Sequence, residues 1–205
     1  AKLQLTMSSV FDLNTQNSNL NYKIVAGLER LSHVFRIFLW EKAKLYSLSP
    51  IQIQLMIFIQ HHAPDKCTIS YLAQEFNFTK PTISDAVKVL EQKKLVKKIA
   101  DKNDSRSYSI QLTAAGKKIV LETEDFPNPL AEIISNATPG DKLVLWNNIT
   151  NLIIKLNQLQ VISIQRTCFN CKHYSTKGNA GYCNLLGQKL QPQDIRMDCN
   201  EFEII

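Results

Sequence analysis

Along residues 20–46, apolar side chains recur every three or four positions, at Ile24, Leu28, Leu31, Phe35 and Phe38. That spacing is the period of one helix face. Val25, Val34, Ile37, Leu39 and Leu45 widen the stripe beyond what a lone surface helix buries, so the pattern predicts a long helix with a partner, a second chain being the natural one. Residues 1–19 are rich in Ser, Asn, Gln and Thr, show no such period and are expected to form a loosely constrained arm. Ser49-Pro50 opens the next helix, with Ser as cap and Pro in the first turn, and Ala63-Pro64-Asp65 breaks it. Thr68 or Ser70 caps a short helix carrying Leu72, Ala73 and Phe76, and Asn77-Phe78 is a turn. Thr79 then caps a helix over about 80–94, with Pro81 in its first turn.

Residues 96–100 and 107–113 read as two short strands around the polar tip 101–106. Thr113 begins another helix, which ends before Phe126-Pro127-Asn128-Pro129. Thr138-Pro139-Gly140-Asp141 caps a last helix bearing Leu143, Trp146, Ile149, Ile153, Leu156 and Leu159. Around Arg166 the composition shifts to a cysteine-rich tail. The expected class is mainly α: a winged helix-turn-helix core, flanking dimerisation helices and a small C-terminal cysteine-cluster module. The corresponding units are an arm at 1–19, a domain at 20–165 with its core at 48–118, and the module at 166–205. A chain of 205 residues that is 44% hydrophobic can bury a sizeable core, and 8% aromatics lean it toward helices.

Charge sharpens this picture. Between residues 79 and 118 stand ten Lys or Arg against four acids, and this excess equals the whole net charge of +6. A neutral scaffold with one basic segment is a footprint for a polyanion. In the helix after Thr79, Ile83, Val87 and Leu90 fall on one side, leaving Lys80, Thr82, Ser84, Asp85 and Lys88 outside, toward the N-terminal half. In helix-turn-helix proteins that half of the second helix meets base edges in the major groove, and a helix N-terminus favours phosphate. Lys102 and Arg106 sit on the hairpin tip beside it, within reach of phosphate or a narrow minor groove.

At these residues the chain resembles a known family. From Leu48 to Gly116 it is similar to the DNA-binding core of the MarR family of winged helix-turn-helix regulators, through LSPIQIQLMIFI, TISYLAQEFNFTKPTISDAVKVLEQKKLVKK and DKNDSRSYSIQLTAAGKK. The most specific element is Asp104-x-Arg106 followed by Leu112-Thr113-x-x-Gly116. The wing departs from the usual form: Lys102-Asn103 stands where many members carry a further Arg. The resemblance implies a homodimer on double-stranded DNA, built through the flanking helices over roughly 20–160. It also implies Arg106 in the minor groove, Asp104 bracing the wing, and Thr79, Lys80, Thr82, Ser84, Asp85 and Lys88 at the major groove. A small-molecule effector between the dimer helices and the DNA-binding lobe is a further implication, with His33, Trp40, Tyr46 and His61 as candidates. Ordinary packing accounts for those four equally well.

The tail adds chemistry outside that scaffold. Cys168, Cys171, Cys183 and Cys199 have the spacing C-x2-C-x11-C-x15-C, and the segment is too short and polar to fold on its own core. One metal centre per chain, bound by these four cysteines, is expected. Four thiolates suit Zn²⁺, which the reading favours slightly; a single close pair plus two lone cysteines also occurs around a [4Fe-4S] cluster. The aromatics Phe169, Tyr174, Tyr182 and Phe202 are placed to shield either centre, and His173 is expected in solvent. Unpaired buried cysteines or two disulfides are the alternatives. Cys67 stands apart, as a small residue beside a strand. No apolar run approaches ~20 residues, so no membrane span is expected and the cytoplasm is the expected compartment. An enzyme is not expected, because no His/Asp/Glu constellation accompanies the cysteines and four ligands leave no open metal position. A redox- or oxygen-sensing regulator with a [4Fe-4S] cluster, and a winged helix used for protein docking, are the competing readings.

Overall fold

The computed structural model describes residues 9–100, 108–162, 166–177 and 180–204. Eight α-helices and five strands occupy these residues, and no helix is long and apolar enough to cross a membrane. The long first stripe is α2 (Leu20–Leu45), in which only Leu39 and Ala43 are buried. α3 (Pro50–His61) begins on a capping box: Ser49 Oγ accepts from Gln52 N–H, and the Gln52 side chain accepts from Ser49 N–H. α4 (Ile69–Glu75) is capped by Thr68, and α5 (Lys80–Gln92) by Thr79. The turn between them places Asn77 at φ 53°, a left-handed conformation that Asn tolerates, and Phe78 N–H closes α4 on Ala73 O at 2.9 Å.

Strands β1 (Val96–Ala100) and β2 (Tyr108–Leu112) pair antiparallel, Val96 opposite Leu112 and Ala100 opposite Tyr108. Val96, Ile110 and Leu112 turn inward to one core with Ile53, Leu55 and Met56 of α3, Leu72 of α4, and Ile83, Val87 and Leu90 of α5. α6 (Ala114–Thr123) adds Val120 to it. Thr113 joins wing to helix: its hydroxyl donates to Lys94 O at 2.8 Å and accepts from Gly116 N–H at 3.1 Å. α6 comes so close there that a Cβ on Gly116 would lie 2.1 Å from Leu95 O.

Two helices arise where the hydrophobic pattern had none. α1 (Leu13–Ser18) lies inside the expected arm, held by Asp12, whose carboxylate accepts from Thr15 N–H at 2.8 Å. α7 (Asn128–Ser135) starts at the expected break, because Pro129 sits in its first turn, where no N–H is needed. α8 (Pro139–Gln158) follows from its Thr138 cap as expected. The tail contains a sheet that its sequence did not announce: β3 (Tyr174–Lys177), β4 (Ala180–Cys183) and β5 (Gln188–Leu190), antiparallel in that order.

Candidate functional site

The order α4, turn, α5, hairpin puts two kinds of residue on opposite sides of α5. Ile83, Ala86, Val87 and Leu90 are buried, while the cap Thr79 and Lys80, Thr82, Ser84, Asp85 and Lys88 of the helix are all exposed, most of them toward its N-terminus. Thr79 and Thr82 also share a hydroxyl hydrogen bond at 2.9 Å, which orders the first turn. Part of the basic segment is structural. Lys93 Nζ donates to Ser47 O at 2.6 Å, and Lys98 pairs with Glu91 at 2.8 Å. Lys80 and Lys88 remain on the open face with the hydroxyl side chains. Lys102, Asp104 and Arg106 lie outside the described residues.

The four tail cysteines meet. Cys168, Cys171, Cys183 and Cys199 line one cavity of about 360 Å³, and all are free thiols. Cys168 and Cys171 flank a 3-10 turn, Cys183 ends β4, and Cys199 is joined to the first pair by its N–H donating to Arg166 O at 3.1 Å. The C-terminus closes the unit through a bridge between Cys171 and Ile204 and Lys172 N–H donating to Glu203 O at 2.8 Å. Burial, and the neighbouring Cys199, Cys183 and Cys171, push the Cys168 thiol above its ordinary value, while the Arg196 N–H, 3.3 Å from Cys168 Sγ, works against them. The Arg196 guanidinium donates to Cys199 Sγ at 3.5 Å. Of the aromatics, Tyr174 lines the cavity, with Phe169 edge-on to it at 5.3 Å. Tyr182 instead takes the Lys177 ammonium over its ring at 3.5 Å. His173 also borders the cavity but is paired with Glu203 at 3.1 Å. Cys67 is remote and buried beside β2: its carbonyl accepts from Ile110 N–H at 2.8 Å, and burial pushes its thiol up to about 11.

The sequence reading missed Arg166. Its guanidinium, 5% exposed, donates to Glu75 at 2.6 and 3.2 Å, Tyr71 Oη at 2.9 Å and Asp198 at 2.6 and 2.7 Å. It lies over the Phe58 ring at 5.3 Å, and His62, stacked on Phe58, bonds Asp198 at 2.9 Å. Burial works against the charges, but Arg166 and His62 hold the Asp198 carboxyl below its usual range, and Asp198 and Glu75 hold Arg166 protonated. The legible signal was Tyr71 and Glu75 four apart on one face of α4, with an Arg and an Asp beside two cysteines.

The effector candidates make their contacts within α2 and at the end of α6. His33 pairs with Glu29 and Trp40 lies under Lys44, both on the exposed run of α2. Tyr46 bonds Glu122, and His61 bonds Glu124 at 2.7 Å, both at the end of α6.

Residues 46–107 match the model of the MarR family. No curated protein matches the chain. Among solved structures, the Staphylococcus aureus MepR–DNA complex is similar at 24% identity, covering 64% of this chain and 97% of that one, with a TM-score of 0.57. MepR of S. aureus in its DNA-binding conformation is similar at 22% identity, over 65% and 98% of the two chains, with a TM-score of 0.57. A MarR transcriptional regulator from Methanosarcina mazei Go1 follows at 21% identity, over 67% and 97%, with a TM-score of 0.55. These likenesses concern the fold, and the matched segment spans the turn-helix unit and the first wing strand described above. The chain is thus a mainly helical winged helix-turn-helix protein whose residues 46–107 match the model of the MarR family.

Proposed function

We propose that this chain is a DNA-binding transcription regulator of the MarR type, acting as a homodimer on an inverted-repeat operator. The observation that carries the reading is the face of α5: short hydroxyl and lysine side chains exposed on the N-terminal half of a rigidly buried helix. Phosphate contacts position such a helix and base-edge contacts specify its site. Selection from a random duplex pool, followed by titration at two salt concentrations, tests it. An inverted repeat should emerge, with affinity falling steeply as salt rises. Failure to enrich any duplex, with the protein folded, would instead favour protein docking.

The dimer rests on apolar surface that the single chain leaves uncovered. Ile24, Leu28, Leu31 and Phe35 of α2 and Leu145, Ile149, Leu152 and Leu156 of α8 are all at least 38% exposed. Runs of this kind mark association sites, and covering one Leu is worth about 2 kcal/mol, counted twice across a two-fold axis. Two recognition helices would then reach successive major grooves roughly 34 Å apart. Leu28→Glu should therefore give a monomer by light scattering at micromolar concentration and lose the inverted-repeat complex. A variant that stays dimeric would remove α2 from the interface.

Arg106 is assigned to the minor groove by resemblance. Arg106→Ala should weaken operator binding by about 1–3 kcal/mol and flatten the salt dependence, with thermal stability nearly unchanged. Unchanged affinity in a folded variant would make the wing tip structural only. The effector site proposed around His33, Trp40, Tyr46 and His61 would have to be completed across the dimer. The four tail cysteines are proposed to hold one metal centre per chain, zinc or [4Fe-4S].

A further inference from the structure

Every N–H of the Arg166 guanidinium has an acceptor: two face Asp198, two face Glu75 and one faces Tyr71 Oη. A planar fork can hold one carboxylate along each of two edges, which an ammonium or an amide cannot do. Along one edge lies Asp198 of the tail, along the other Glu75 of α4. The tail side is a fixed base. Cys199 N–H donates to Arg166 O, and the module is tied to α8 by Trp146 Nε1 on Pro192 O at 2.8 Å and Asn170 Nδ2 on Asn157 Oδ1 at 3.0 Å. The α4 side is a helix that needs holding. It has seven residues, too few to be stable by itself. Glu75 ends it, where a carboxylate opposes the helix dipole and a guanidinium offsets that charge.

From Glu75 the chain runs straight into the proposed recognition helix. Phe76 lies edge-on to Phe58 at 5.7 Å, Asn77 takes the left-handed turn, Phe78 N–H returns to Ala73 O, and Thr79 caps α5. The Arg166 guanidinium covers the Phe58 and Tyr71 rings of this cluster at 5.3 and 5.9 Å. We infer that Arg166 is a positioning residue for DNA binding: from the tail it fixes the α4–α5 turn, and so sets the tilt at which Lys80, Thr82 and Ser84 meet the major groove. The inference rests on the regulator reading proposed above and is indifferent to what the four cysteines hold. At 5% exposure the guanidinium itself is out of reach of DNA. Coupling between two sites is reciprocal, so DNA on α5 should in turn steady the tail around Arg166.

The test uses the full chain and the duplex enriched from the random pool. Arg166→Gln should lower affinity for that duplex by about tenfold and leave its salt slope unchanged. It should also speed hydrogen exchange over residues 69–79 but not over 50–56. Arg166→Lys should behave in the same way, because it keeps the charge and loses the fork. Glu75→Gln alters only the α4 side and serves if the Arg166 variants do not fold. It removes a negative charge, which alone would strengthen DNA binding, yet it should weaken binding likewise and add little to Arg166→Gln. In the parent, bound duplex should slow exchange over residues 166–171; in Arg166→Gln it should not. Full affinity in either Arg166 variant would overturn the inference, and a salt slope smaller by about one would make Arg166 a phosphate contact instead. A parent that enriches no duplex would sink the regulator reading. Exchange over 69–79 that Arg166→Gln leaves unchanged would sink the clamp, whatever the DNA result.

Discussion

Gly116→Ala is expected to lower the thermal midpoint by on the order of 10 °C, through a loss of about 3 kcal/mol. The added Cβ would stand 2.1 Å from Leu95 O and 3.2 Å from Leu112 Cδ2, and the first of these is backbone that cannot rotate away. Relief requires α6 to lift from the wing. That would stretch the hydrogen bonds by which Thr113 ties Gly116 N–H to the Lys94 and Leu95 carbonyls. The wing and the α5 exit would loosen together, so DNA affinity should fall with stability. Gly140→Ala is the matched control. Its Cβ would meet only Thr138 Oγ1 at 3.9 Å, so stability should hold or rise by a few tenths of a kcal/mol. Equal midpoints for the two variants, read by circular dichroism, would show that α6 is not seated as described.

The same glycine shows what was legible. Leu112-Thr113-x-x-Gly116 was recognisable as a motif, yet the reason for Gly is a non-local contact with Leu95 that no local pattern carries. Helix starts were legible where a cap met a periodic stripe, as at Ser49, Thr79 and Thr138, because both signals lie within a few residues. α7 was not, since Phe126-Pro127-Asn128-Pro129 resembles a break until Pro129 is seen in a first turn. The split of α5 into buried Ile83, Val87 and Leu90 and an exposed polar face followed directly from the helical period. The cysteine set was legible as one site, and its four members do share a cavity. The sheet of the tail and the Arg166 network were hidden, because strands of three or four residues leave no period and an ion network joins residues over 90 positions apart.

With the proposed metal centre in place, replacing any one of Cys168, Cys171, Cys183 or Cys199 by Ser is expected to remove most of that metal and to unravel the chain beyond about residue 166, for zinc and for an iron-sulfur cluster alike. Among the described residues there, the only buried apolar side chains are Cys171, Leu190 and Ile195. Three residues offset only a few kcal/mol of the ordering entropy of such a segment, whereas metal–thiolate binding reaches about 10 kcal/mol. The central core, drawn from Leu39 to Val120, contains none of these residues, so its unfolding transition should persist within a few degrees. Glu75 and Tyr71 would lose Arg166 but lie near enough to the surface to be rehydrated. Cys67→Ser should keep the full metal content, because Cys67 sits within the winged-helix core with its thiol pushed up to about 11 by burial. Metal analysis beside limited proteolysis separates the outcomes. Each tail variant should be trimmed to a stable fragment ending near residue 162, and Cys67→Ser should resist trimming like the parent. Tail variants that lose metal yet resist trimming would mean that the segment is held by its own packing and by Arg166, and metal retained after two such replacements would mean that the four cysteines are not its ligands.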